Sequence, residues 1–179
     1  MGLDITFYER VEWAGEHAVE WVDANGIYSE CDHHRAYTSG KFPATEAGVP
    51  DGRHFDSLGA ERSWGMSYGS YGRFRACLVH TFRPDLVIRE RPYYPRVWTE
   101  ISEEEFRTWP FNELIDFTDC EGAYGPAAAD KLLKDFRDHE HLIDASCEAL
   151  WGQGGWADRY REYGKALEIV GPNGLVVYH

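Results

Sequence analysis

Gly125-Pro126-Ala127-Ala128-Ala129-Asp130-Lys131-Leu132-Leu133-Lys134-Asp135-Phe136 is the stretch from which the rest of the chain is read. Proline suits the first helical position, where its missing N–H costs nothing. Ala129, Leu132, Leu133 and Phe136 then recur at i, i+3, i+4 and i+7, one apolar stripe of an amphipathic helix. Downstream, Trp156, Tyr160, Tyr163, Leu167 and Val170 form a second stripe. Asn173-Gly174 then turns the chain into Leu175-Val176-Val177-Tyr178, a terminal strand.

Upstream, Leu3, Ile5 and Phe7 alternate with Asp4, Thr6 and Tyr8, the period of a strand with one buried face. Asn25-Gly26 is a hairpin signal between a second strand before it and a third near Ile27-Tyr28. Ser70 is placed to cap a helix through Val79 that buries Tyr71, Phe74, Cys77 and Leu78. Pro84, Pro92, Pro95 and Pro110 keep residues 84 to 110 irregular, with a short strand at Leu86-Val87-Ile88 and one helical turn over Ile101–Phe106. Between Cys31 and Gly65, Gly, Pro, Asp, His and Ser dominate, so a long irregular segment is expected over about residues 31 to 65. Strands first, helices later and a closing strand predict an α+β fold. The expectation is a single domain over residues 1 to 179, an antiparallel sheet with three main helices packed on it.

Composition narrows the function classes. Among 179 residues, 43% are hydrophobic and 15% aromatic, with seven Trp and eleven Tyr, enough to fill a core without metal or disulfides. The net charge of −13 makes nucleic acid a poor partner, because phosphate binding needs basic residues to release counterions. An anionic membrane surface would repel the chain as well. Acidic residues such as the Glu103-Glu104-Glu105 run keep a protein soluble or attract a basic protein surface. Met1-Gly2-Leu3-Asp4 lacks the basic and apolar regions of an export signal, and no apolar run reaches the roughly 20 residues of a membrane span. Cys31, Cys77, Cys120 and Cys147 are widely spaced with no CxxC pair, the usage of free thiols in a reducing compartment. The expected setting is cytoplasmic.

Three polar constellations are candidates for chemistry. Asp116-Phe117-Thr118-Asp119-Cys120-Glu121-Gly122 places three carboxylates, a hydroxyl and a thiol just before a helix, where they can bind a ligand, act as acid and base, or order the turn. An EF-hand is excluded, since Glu121 falls where the obligatory Gly belongs and Ala127 where the bidentate Glu belongs. Cys31-Asp32-His33-His34, with His54 downstream, offers nitrogen and sulfur ligands, but in no structural-zinc spacing. No metal or cofactor is expected. Ser70-Tyr71-Gly72-Arg73-Phe74-Arg75 is the third: amides at a helix start and two Arg suit an anion. Arg73 and Arg75 are two apart, however, and do not share a helix face. His179 brings an imidazole beside the chain-end carboxylate. No Walker, Rossmann or GxSxG pattern occurs.

Gly2-Leu3-Asp4-Ile5, Ser67-Tyr68-Gly69-Ser70-Tyr71 leading into Arg73-Phe74-Arg75, Phe117-Thr118-Asp119-Cys120-Glu121-Gly122 and the closing Gly174-Leu175-Val176-Val177-Tyr178-His179 recur in this order from residue 2 to 179. In these segments the chain resembles a family of uncharacterised proteins associated mainly with bacteriophages and their bacterial hosts. Thr118 stands where the family commonly has Ser, and Tyr178 where it commonly has Phe. The resemblance implies a phage or prophage setting, hence the host cytoplasm, and carries no reaction or substrate with it. Fourteen of the eighteen basic residues are Arg, which fits a GC-rich genome.

The functional expectation is a non-catalytic accessory protein of phage type that binds a host protein or a small ligand, with oligomeric state unspecified. Its candidate ligand-binding residues are Ser70, Tyr71, Arg73, Arg75, Asp119, Cys120, Glu121 and His179. The alternative is an enzyme or nucleotide-binding protein using an acidic and thiol pocket around Asp119-Cys120-Glu121. Within that segment Asp119 is expected to order the turn and Glu121 to serve function, since Gly122 lets the backbone present it. The cysteine spacing yields the first prediction: titration of denatured protein without reductant should count four thiols, and two or none would overturn the reducing-compartment reading.

Overall fold

Strand β1 (Gly2–Tyr8) lies inside a four-stranded sheet, with β7 (Glu61–Ser67) antiparallel on one side and β9 (Leu175–Tyr178) antiparallel on the other; β8 (Gly122–Tyr124) completes the order β7-β1-β9-β8. This computed structural model describes residues 2–13, 21–22, 28–29, 34–36, 38, 48–87, 101–115, 122–152 and 155–179. The fold is α+β, as the order of strands and helices predicts.

The alternation in β1 works as the period implies. Leu3, Ile5 and Phe7 are buried in the larger core, while Asp4 is exposed. Ile5 sits opposite Trp64 of β7 and Tyr178 of β9, and Phe7 opposite Val176. The three long helices, α1 (Tyr68–Phe82), α4 (Pro126–Trp151) and α5 (Trp156–Leu167), bury their apolar stripes in this same core. Among the described residues, two single-turn helices, α2 (Glu103–Phe106) and α3 (Asn112–Ile115), lie in the connection between α1 and β8.

β9 has no solvent face. Val176 and Tyr178 point into the helix-side core; Leu175 and Val177 point into a second core with Tyr8, Val11, Ala36, Val49, Phe55 and Ala123. That second core lies under a small sheet, β2 (Val11–Trp13), β6 (His54–Ser57) and β5 (His34–Arg35), in the order β2-β6-β5. Asn25-Gly26 lies outside the described residues; on either side of it β3 (Trp21–Val22) pairs antiparallel with β4 (Tyr28–Ser29).

Several local expectations need correction. The segment expected to be irregular over residues 31 to 65 contains β5, β6 and most of β7. β5 and β6 are short, and of β7 only Trp64 is buried; β7 pairs with β1, β6 with β2 and β5 with β6, so partner strands rather than an apolar period of their own place them. Helix α1 begins three residues earlier than expected because Ser67, not Ser70, is its cap: the Ser67 Oγ accepts from the Ser70 N–H at 3.3 Å. Pro84–Leu86 form a single 3-10 turn instead of the start of a strand, and Ile88 lies outside the described residues.

Three buried phenols stitch the sheet to α5. The Tyr124 and Tyr163 hydroxyls are 2.7 Å apart, and those of Tyr163 and Tyr178 3.0 Å apart. Burial pushes all three phenols well above their usual value, so they stay neutral and each needs a partner in the core. At the opposite end, Phe111 holds a φ of 57°, a left-handed conformation a bulky residue rarely adopts. Its N–H donates to the Asp135 carboxylate at 2.9 Å, and its fully buried ring meets Phe136 edge-on at 5.2 Å. Packing on α4 therefore outweighs the backbone cost.

Lys131 gathers this corner, donating to Glu113 at 2.6 Å, Asn112 at 2.8 Å and Asp135 at 3.0 Å. Burial pushes the Glu113 carboxyl above its ordinary value, and the bond and charge of Lys131 only partly offset this. The folded state thus binds this proton more tightly than the unfolded chain. Its contribution to stability is full below the ordinary Glu value and is lost as pH rises through the elevated folded value. In Glu113→Gln, the change in unfolding free energy between about pH 4 and about pH 7 should lose this falling component. Denaturant melts at both values decide it, and an unchanged pH difference would contradict the assignment.

Candidate functional site

The Ser70–Arg75 candidate lies on the first two turns of α1, and its side chains separate by face. Tyr71 and Arg75, four apart, point the same way. Tyr71 is fully buried and donates its hydroxyl to the Leu114 carbonyl at 3.3 Å. Arg75 is buried, donates to the Ile115 carbonyl at 3.3 Å, and stacks its guanidinium over the Tyr71 ring at 4.7 Å. Arg73 points elsewhere, lying 5.6 Å over the Trp151 ring at the end of α4. The two Arg therefore do not converge on one ligand, as their spacing predicts. Ser70 is half-buried and within 2.9 Å of the Ser67 hydroxyl.

Leu114 and Ile115 immediately precede Asp116 in the chain. Tyr71 and Arg75 thus hold the backbone where the acidic segment begins, and Gly122 at its far end pairs with Tyr178 of β9. Asp119, Cys120 and Glu121 themselves lie outside the described residues. His179 follows on β9: its N–H donates to the Asp4 carbonyl at 2.8 Å and its Nε2 is 3.2 Å from the Thr6 hydroxyl. It is exposed and stands away from α1, on the Asp4–Thr6 side of β1.

Of the Cys/His candidate, Cys31 and His33 lie outside the described residues. His34 and His54 are on neighbouring strands, with His34 opposite Phe55 and Arg35 opposite His54. Among the described residues, no group of three or more His, Cys, Asp and Glu is placed to hold a metal ion. No described helix is long and apolar enough to cross a membrane.

Sequence reading does not single out the cleft on the small-sheet side of the molecule. Val11 and Trp13 of β2, Val49, Pro126 at the start of α4, Pro172 and Leu175 enclose about 290 Å³ that opens to solvent. Trp13 is half-buried, its ring edge-on to Phe55 at 5.7 Å, which fixes one wall. The floor is tight because the chain crosses itself there. A Cβ on Gly174 would lie 2.5 Å from the Tyr8 carbonyl oxygen, so only glycine fits. The alternation of Val11, Glu12 and Trp13 signals an inward-facing Trp, but the walls come from four separated stretches of chain.

The chain matches no protein-family model, no curated protein and no solved structure. Its site is therefore argued from its own geometry. If Arg75 serves the fold at the 114–115 backbone, Arg75→Met should cost about 1–3 kcal/mol, the penalty for leaving a buried carbonyl unpaired. Chemical denaturation measures this, and unchanged stability would contradict a structural role for Arg75.

Proposed function

We propose that this is a non-catalytic binding protein of phage accessory type that docks on a basic surface of a host protein. One of the partner's side chains enters the Trp13 cleft. The observation that carries this reading is the cleft itself. At about 290 Å³ it lies at the lower edge of small-molecule sites, yet it suits a single anchoring side chain against a fixed aromatic wall. The net charge of −13 supplies the electrostatic term, steering a cationic partner and disfavouring an anionic one. Exposed carboxylates stand close by: Glu12 faces Asp56 across β2 and β6, one residue from Trp13. The phage setting rests on the segment resemblance from Gly2-Leu3-Asp4-Ile5 to the closing Tyr178-His179.

The alternative, a catalytic or nucleotide-binding pocket at Asp119-Cys120-Glu121, draws support from the way Arg75 and Tyr71 fasten the residues just before Asp116. It would show as binding lost on Glu121→Gln with Trp13 intact. Affinity capture from bacterial lysate, followed by titration with the purified partner, tests the leading reading. Expected is a basic partner whose affinity falls with rising salt and drops about tenfold or more in Trp13→Ala. A missing saturable partner, or one indifferent to Trp13→Ala, would refute it.

A further inference from the structure

The walls of the Trp13 cleft restrict what can fill it. Among the described residues that line it there is no Asp, Glu, Lys, Arg or His. Apart from the Asn173 amide and the Trp13 indole N–H, the lining side chains are hydrocarbon. Unspent backbone groups are scarce as well. Pro126 and Pro172 have no N–H to offer. The Val11 N–H donates to the Asn173 carbonyl at 2.9 Å, and the Gly174 N–H to the Gly171 carbonyl at 2.8 Å. At the start of α4, the Gly125 carbonyl already accepts from the Ala129 N–H at 3.1 Å. Glu12 does not make up the deficit. Side chains alternate along a strand, so with Val11 and Trp13 lining the cleft the Glu12 carboxylate stands on the other face of β2.

We propose that the partner side chain this cleft admits is uncharged and apolar, of the Leu, Met or Phe kind, and that the partner carries it among its basic residues. The inference rests on the reading of the Trp13 cleft as the docking point and adds the chemistry that fills it. A Lys or Arg head drawn inside would give up its water with no carboxylate to meet it. A cation–π contact with the indole recovers only part of that cost. Held at the mouth instead, the head keeps its water but the stem stops short of the floor.

An apolar side chain meets neither obstacle. Val11, Val49 and Leu175 belong to the second core and Trp13 packs against it, so an inserted hydrocarbon extends that core. Attraction and anchoring are thereby divided. The net charge of −13 draws the basic surface in, and the apolar residue holds it.

A matched pair of probes tests this on the full-length protein: the Nα-acetyl amides of norleucine and of lysine, which share an unbranched hydrocarbon chain and differ by the terminal ammonium. Each is titrated at high salt, which screens the general pull of an acidic protein on a cation. The Trp13 indole N–H and Gly174 amide resonances report occupancy of the cleft. Expected is a saturable shift of both signals with the norleucine amide, and binding at least about tenfold weaker with the lysine amide. Equal or tighter binding of the lysine amide would overturn the inference and leave the cleft as a docking point. A norleucine amide that shifts neither signal would overturn it too, whatever Trp13→Ala does to capture of the partner. A partner indifferent to Trp13→Ala, with the norleucine amide still bound, would instead refute the docking reading and with it the partner's use of the cleft.

Discussion

The burial of β9 on both faces is the constraint on which the remaining architecture depends. Its four residues pair with β1 on one side and β8 on the other, while its side chains alternate between two separate cores. A strand with no solvent face must be covered twice. Helices α1, α4 and α5 cover one face, and the small sheet β2-β6-β5 covers the other. The Tyr178 hydroxyl adds a directional element, because its bond to Tyr163 ties the end of the strand to α5. An apolar residue there would fill similar volume and leave the Tyr163–Tyr124 pair one partner short.

The same arrangement creates the Trp13 cleft. The small sheet must close over Leu175 and Val177, and the chain from α5 must pass beside β1 to enter β9. The Gly171 N–H bonds to the Glu9 carbonyl at 3.0 Å, and Gly174 lies against Tyr8. Where these crossings meet the start of α4, the layers cannot fill all the space, and the Trp13 cleft remains. The helix side behaves differently. There aromatic rings interlock, with Phe136 stacked on Tyr163 at 5.2 Å and Trp64 edge-on to the same ring at 5.0 Å. On that side Arg75 and Tyr71 each donate a hydrogen bond to neighbouring backbone, and Lys131 donates to neighbouring carboxylates.

Much of the helix side is legible in the residues themselves. The stripe at Ala129, Leu132 and Phe136 and the stripe at Tyr160, Tyr163 and Leu167 each point into the core as their spacing requires. The limits of such reading are equally specific. Ser67 and Ser70 are both good caps, and only the position of the α1 hydrogen bonds selects Ser67. The strands at His54–Ser57 and Glu61–Ser67 carry few apolar residues, so no local period announces them. Phe111 is a poor choice for a left-handed backbone, and its conformation follows from a ring held among Phe136, His139 and Tyr160.

Sequence by itself determined the α+β class, the three long helices, the first and last strands and the divergence of Arg73 from Arg75. Each of these follows from interactions within about four residues or from a regular apolar period. Tertiary structure alone decided which strand is central, which serine caps α1, and that Tyr71 and Arg75 spend hydrogen bonds on Leu114 and Ile115. It also decided that Trp13 faces a cleft walled by residues from four stretches of chain. Contacts between residues tens of positions apart leave no periodic trace in one chain, because they arise only when whole elements pack and their side chains meet.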